Sequence, residues 1–392
     1  MGNKLKMKKF GALFLATTLL TGVLAGCGDS SGSGDTIKIG GNLELSGSVS
    51  SYGSSINKGA ELAIKEINDA GGINGKLIEY TVIDNRSENA DAVAAATKLI
   101  TEEKVVAMLA PATSGNTLAI VELANTNKVP IVTGSGTNET ITVAKDGSIN
   151  DYAFRTCFID PFQGIVAANF ASNDLKAKNV AIYTDSSADY SKGLAAAFKK
   201  QIEANGGKVI LQENYVDNDV DFKATLTRIK GANPDFVFIP GYYEEVGLII
   251  KQAREAGITA PLMGGDGWDA PELVELAGKK ALENTYITNH YSSGDPDKKI
   301  QAFVEAFEAE YDNSPNAFNA LGYDSIYFLA DAIERAGDNV TGKEIQKQLA
   351  ATKDLSLVTG TFTVDDKHNP VKSATVLEYV NGEQSFKTKV NP

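Results

Sequence analysis

From Thr36 onward, short apolar runs alternate with longer segments whose apolar residues recur every three or four positions. Ile37–Leu45 reads as a strand and Ser54–Asp69 as a helix, with Ile56, Ala60, Ala63, Ile64 and Ile67 on one face. After the glycine-rich turn 71–75 come a strand at Leu77–Asp84, a helix at Ala90–Thr101 and a buried strand at Val105–Ala110. A helix at Asn116–Thr126 and a strand at Val129–Thr133 close the first series. A second series follows, with strands at 180–184, 208–215, 236–240 and 262–264 and helices at 162–175, 191–204, 222–230 and 244–256. This alternation predicts an α/β protein with parallel sheets covered by helices on both faces. The two series echo one another. Ile67-Asn68-Asp69-Ala70-Gly71-Gly72 and Ile202-Glu203-Ala204-Asn205-Gly206-Gly207 each lead into a strand, a helix and a buried strand. Two lobes of similar topology fit better than one sheet of more than ten parallel strands.

The ends depart from this pattern. Asp297–Tyr311, Phe318–Ala336 and Gly342–Ala351 are amphipathic helices, and Ala374–Val380 with Ser385–Val390 reads as a hairpin on the Asn381-Gly382 turn. Helices without a new strand–helix unit imply that the chain returns to complete lobes it has left. At the other end, Lys4, Lys6, Lys8 and Lys9 precede an apolar run from Phe10 to Leu24 and then small residues, the form of a secretory signal. Leu24-Ala25-Gly26-Cys27 is similar to the bacterial lipobox, which implies cleavage after residue 26 and lipidation of Cys27. Residues 28–35 form a Gly/Ser tether, so the Gly-x-Ser-x-Gly spacing at 28–32 lacks the strand–helix context of a hydrolase elbow.

Charge and rare residues remove several function classes. Fifty acidic residues oppose 37 basic ones for a net charge of −13, and loss of the four signal lysines makes it −17. Such a surface disfavours nucleic acid. There are two cysteines and two histidines in 392 residues, which leaves little for a disulfide framework, zinc or histidine catalysis. His290 and His368 sit in polar segments and read as solvated; Cys157, in the apolar run Phe154–Ile159, reads as a small buried hydrophobe. Asp217, Asp219 and Asp221 begin like a calcium loop, but Phe222 and Arg228 stand where glycine and glutamate are needed. No phosphate-binding loop is present, and no cofactor or metal is expected.

The loops after the strands carry more. In open α/β sheets ligands bind beyond the carboxyl ends of the strands. In the first half those positions hold Ala112-Thr113-Ser114-Gly115-Asn116 and Gly134-Ser135-Gly136-Thr137-Asn138, neutral hydroxyls beside helix starts that suit a carboxylate. In the second half they hold Asp185–Tyr190, Gly241-Tyr242-Tyr243-Glu244 and Gly264-Gly265-Asp266-Gly267-Trp268, aromatics and acids that suit a cation. Together they describe a zwitterion held in a cleft.

Glu44-Leu45-Ser46-Gly47, Tyr52-Gly53, Gly59-Ala60-Glu61-Leu62-Ala63 and Glu66-Ile67-Asn68 with Gly71-Gly72-Ile73 resemble the opening of the branched-chain amino-acid (Leu/Ile/Val) binding proteins of ABC importers. The likeness continues through Pro111, Ser114, Thr137-Asn138, Tyr190, Gly241-Tyr242 and Gly264–Gly267. The resemblance implies a type I periplasmic-binding-protein fold: two Rossmann-like lobes, three crossovers and a ligand cleft between them. It implies lobe 1 at residues 36–157, lobe 2 at 158–288, a return to lobe 1 at 289–360, and a final crossover with a lobe 2 hairpin at 361–392. Ser114 and Thr137 match positions that hold the ligand carboxylate and amine, and Ser135 sits where backbone contributes. Tyr242 and Asp266 match the aromatic and the acid that grip the ammonium, while Tyr52 and Tyr190 flank the side-chain pocket. Asp266 stands where the family carries the longer Glu, and Trp268 beside it is expected to narrow the pocket. The chain is thus expected to be a monomeric, lipid-anchored solute-binding protein on the outer face of the cell membrane, delivering an aliphatic amino acid to ABC permease subunits by hinge closure. Alternatives are another small ligand on the same fold, or an exported sensor; the missing nucleophile–base set disfavours an enzyme.

Overall fold

The computed structural model describes residues 36–391; the predicted signal, Cys27 and the tether lie outside these residues. Strands β1 (Ile37–Leu43), β2 (Ile78–Asp84), β3 (Ala107–Ala110), β4 (Ile131–Thr133) and β5 (Ala153–Arg155) form a parallel sheet in the order β2-β1-β3-β4-β5. Helices α1 (Ser50–Asp69), α2 (Asn89–Lys98) and α3 (Ser114–Asn127) connect them. β3, β4 and β5 are buried at every position, as strands covered on both faces must be.

After α4 (Asp160–Asn173) the same order is built again. Strands β6 (Asn179–Asp185), β7 (Lys208–Tyr215), β8 (Phe236–Phe238), β9 (Leu262–Gly264) and β10 (Thr285–Asn289) run parallel as β7-β6-β8-β9-β10. Helices α5 (Asp189–Ala204), α6 (Lys223–Ala232), α7 (Tyr243–Glu255) and α8 (Pro271–Ala277) link them. The chain then runs through α9 (Lys298–Tyr311), α10 (Ala317–Ala336) and α11 (Gly342–Ala350). A small antiparallel sheet follows, β11 (Leu355–Leu357), β12 (Gly360–Val364) and β13 (Pro370–Val371). Strands β14 (Ala374–Val380) and β15 (Glu383–Val390) add antiparallel to β10 and bring the second sheet to seven strands.

Three connections pass between the two sheets: 156–159, 290–297 and 372–373. Helix α10 packs on α1 and touches β3 and β4, so the chain does return to the first sheet. That contact is intimate. A Cβ at Gly59 would meet the Asn319 carbonyl, and one at Gly322 the Ile56 carbonyl, so the two helix backbones approach each other through glycine.

The periodic helices and strands fall where the pattern predicts them, within a few residues. β5, α8, β10 and the β11–β13 sheet are not in the sequence reading. Cys157 is buried, as expected. The histidines depart from expectation. His290 and His368 are both buried, the second stacked on Phe154 with ring centroids 4.2 Å apart, against the reading that both are solvated.

Candidate functional site

Both sheets point their carboxyl ends at one place. Glu44, immediately after β1, is fully buried and organises the loop before α3. Its carboxylate accepts from the amides of Ala112 (2.9 Å) and Thr113 (3.1 Å), the Thr113 hydroxyl (3.1 Å) and Asn116 Nδ2 (3.0 Å). Thr113 caps α3, and Ser114 opens its first turn. Ser114 Oγ accepts from the Asn138 amide (3.1 Å), and Ser135 Oγ donates to the Ala112 carbonyl (2.8 Å). Hydroxyls thereby lace the loops after β3 and β4 around a helix N-terminus, a setting that favours an anion.

The opposite wall comes from the second sheet. Asp266, in the turn after β9, is buried and accepts from three side chains. Gln163 Nε2 (2.8 Å) and the Tyr190 hydroxyl (3.0 Å) reach Oδ1, and His290 Nε2 lies 3.0 Å from Oδ2. Tyr242 stacks on Tyr190 at 5.3 Å and meets the Tyr52 ring edge-on at 5.7 Å. Burial pushes all three tyrosines well above their ordinary pKa, so they stay neutral. Aromatic faces beside a carboxylate favour a cation.

Tyr52 bridges the walls. It extends from α1, stacks on Phe318 at 4.4 Å, donates to the Gly267 carbonyl and accepts from the Tyr243 amide at 3.1 Å. Ser51 Oγ to Glu272 (2.6 Å) and Asn138 Nδ2 to the Asp189 carbonyl (3.0 Å) also join elements of the two sheets. The cleft is closed.

Tyr52, Ser114, Ser135, Tyr190, Tyr242 and Asp266 line a single cavity together with Phe318, and the space open to a water-sized molecule within it is about 10 Å³. That is room for about one water molecule, so the two walls stand nearly in contact. Thr137 does not line it. It is fully buried behind the wall, where its carbonyl accepts from the Asp160 amide at 3.0 Å. Trp268 does not narrow the cavity either. The turn directs its indole into the core of the second sheet, where Nε1 donates to the Ile239 carbonyl at 3.0 Å.

The sequence reading omits Phe318, Gln163, His290 and Asp160, and it takes Glu44 only as part of a motif. Asp160, on the first turn of α4, is buried with no well-formed hydrogen bond to either carboxyl oxygen among the described residues, and burial raises its pKa well above its ordinary value against the opposing effect of the nearby Thr137 hydroxyl. Burial lowers the pKa of His290, against the opposing pull of the Asp266 carboxylate.

A family profile described as periplasmic binding protein matches residues 36–384. The leucine-, isoleucine-, valine-, threonine- and alanine-binding protein of Pseudomonas aeruginosa is 32% identical over 79% of this chain and 80% of its own. Among solved structures, the branched-chain amino-acid transporter substrate-binding protein LivJ of Streptococcus pneumoniae, in complex with isoleucine, is 42% identical. The match covers 91% of this chain and 100% of that one, with a TM-score of 0.85. A solute-binding protein of an ABC transporter from R. palustris, in complex with benzoate, is 27% identical over 91% of this chain and 97% of its own, with a TM-score of 0.82.

Proposed function

Because the chain belongs to the periplasmic binding protein family, in its branched-chain amino-acid ABC-transporter type, we infer that it captures an aliphatic α-amino acid and presents it to a permease. The observation that carries this reading is the polarity of one closed cavity. Hydroxyls and the start of α3 face Asp266 and stacked tyrosines across it. A carboxylate is stabilised at the first wall and an ammonium at the second, with Tyr52 and Phe318 supplying apolar surface for the side chain.

On this reading Ser114 and Ser135 hold the carboxylate, Thr137 supports their loop from behind, Asp266 and Tyr242 take the ammonium, and Tyr52 and Tyr190 flank the side chain. The lobes are residues 36–157 with the return 289–360, and 158–288 with the C-terminal hairpin. Ligand would favour the closed arrangement by contacting both walls, which the open form cannot offer. The protein acts as a monomer, held to the outer face of the membrane through acylated Cys27. Among the described residues no helix is long and apolar enough to cross a membrane. Cys27→Ala should abolish acyl labelling of the expressed protein; labelling equal to wild type would remove the anchor from this account.

Leu, Ile, Val or Ala should raise the melting temperature, since ligand at 100 times its Kd stabilises the folded state by about 2.7 kcal/mol. The corresponding α-keto acids, which lack the ammonium, should not. Equal stabilisation by amino and keto acids would show that Asp266 does not read the ammonium. Benzoate belongs in the same screen, because a benzoate-bound relative shares the fold and four aromatic rings line this cavity. Stabilisation by benzoate alone would replace the amino acid with an aromatic acid.

A further inference from the structure

We propose that His290 is the residue that positions Asp266 for a ligand ammonium and ties charge recognition in the cleft to the second connection between the sheets. This rests on the amino-acid reading above and names a part of that site which neither motif nor cavity lining marks.

The argument begins with the capacity of the carboxylate. A carboxylate offers about four in-plane lone-pair directions. Gln163 Nε2 and the Tyr190 hydroxyl occupy both positions on Oδ1, and His290 Nε2 occupies one on Oδ2. One direction remains, on the oxygen that His290 holds. Without His290, nothing else among the described residues holds Oδ2, and the carboxylate can pivot about the Oδ1 that Gln163 and Tyr190 hold, swinging its open side away from the cavity.

The geometry of His290 suits this role. Its side chain is fully buried, and its ring stacks on Phe158 with centroids 3.8 Å apart and planes at 21°. Facing an acceptor, Nε2 must carry a proton. Nδ1 has no hydrogen-bond partner among the described residues, and burial disfavours a second proton on the ring. Neutral imidazole with Nε2–H is therefore the state the site selects. Neutrality matters, because an imidazolium would satisfy Asp266 by itself and compete with the ligand cation for the same anion.

His290 is also the first residue after β10, where the chain leaves the second sheet for the second connection. Phe158, its stacking partner, lies on the first connection. A ligand drawn onto Asp266 is thus joined, through one side chain, to two of the three connections about which the lobes would hinge.

The test is calorimetric titration of leucine into the full-length mature protein and two variants. His290→Leu keeps apolar bulk and removes the donor; it should bind leucine roughly 10- to 100-fold more weakly, the range for one hydrogen bond to a charged group. His290→Gln places an amide nitrogen near the position of Nε2 and should restore affinity to within about threefold of wild type. Loss in both variants, or in neither, would overturn the proposal. If His290→Leu does not fold, nitrogen NMR of histidine-labelled wild type decides. The Nε2–H tautomer is expected with leucine bound, and an Nδ1–H or doubly protonated ring overturns the assignment. If wild type binds leucine but the variants fail these tests, only the role of His290 falls. If wild type binds no α-amino acid, the amino-acid reading falls and takes this proposal with it.

Discussion

Asp266→Asn is expected to weaken amino-acid binding by roughly 30-fold to several thousand-fold, equivalent to about 2–5 kcal/mol, while leaving the protein folded. The size follows from removing one partner of a buried charge pair: the ligand ammonium would enter a closed cavity with no anion opposite it. The small cost to the fold follows from the hydrogen bonds. An asparagine oxygen at the Oδ1 position still accepts from Gln163 and Tyr190. Its NH₂ group then faces His290 Nε2, and the imidazole can move its proton to Nδ1, which has no competing partner among the described residues. A rival account makes Asp266 a cap for its own turn, but its side chain makes no capping bond there; only its backbone carbonyl does, accepting from the Asp269 amide at 2.9 Å. Titration of the folded variant with leucine checks the prediction. Affinity within threefold of wild type would take Asp266 out of the site and weaken the amino-acid reading.

The sequence makes Asp266 visible for a topological reason. Strands in a parallel sheet all end on one side, so the loops after them converge even when they are far apart in the chain. Ser114, Ser135, Tyr190, Tyr242 and Asp266 follow β3, β4, β6, β8 and β9, and by that rule they converge on one cavity. Phe318 and His290 escape it. Phe318 stands on α10, which reaches the cavity only because the chain returns to the first sheet after building the strands and helices of the second. His290 does follow a strand, but β10 is a five-residue strand that the hydrophobic pattern does not reveal, and its neighbours Ser292, Ser293 and Asp295 make the segment look exposed. Burial there is set by Phe158 and Asp266, and no local signal encodes either contact. Trp268 fails in the opposite way. Its size was legible and its direction was not, because a short helical turn can send adjacent side chains to opposite sides of a loop.

Away from the cleft, Asp324→Ala is expected to cost about 3–5 kcal/mol of stability at pH 7, because it removes the acceptor of three buried hydrogen bonds and the anion whose charge supports buried Lys372. Asp324, on α10, accepts from the amides of Val358 and Thr359 (both 2.8 Å) and from the Thr359 hydroxyl (2.6 Å). That hydroxyl in turn accepts from Lys372, whose Nζ also donates to the Thr156 carbonyl at 3.0 Å. Lys372 lies on the third connection and Thr156 on the first, so the network fastens two of the three connections to α10. Burial pulls the Lys372 pKa down to about 8, and Asp324 opposes the fall. Lysine that titrates near 8 when folded and near 10.4 when unfolded binds fewer protons in the folded state between those values, so its contribution to stability rises with pH across that window. Without Asp324 the folded value drops further and the window opens below pH 8. The deficit of the variant should therefore be largest at pH 7 and shrink by pH 9.5, where Lys372 is neutral in both proteins. Urea unfolding at the two pH values measures this. A deficit under about 1 kcal/mol at pH 7, or one that does not change by pH 9.5, would mean that the charge of Lys372 is not what Asp324 supports. Adding Lys372→Met to Asp324→Ala should recover part of the loss, because an apolar side chain needs no counter-charge; the amides of Val358 and Thr359 would still lack their acceptor, so recovery stops short of wild type.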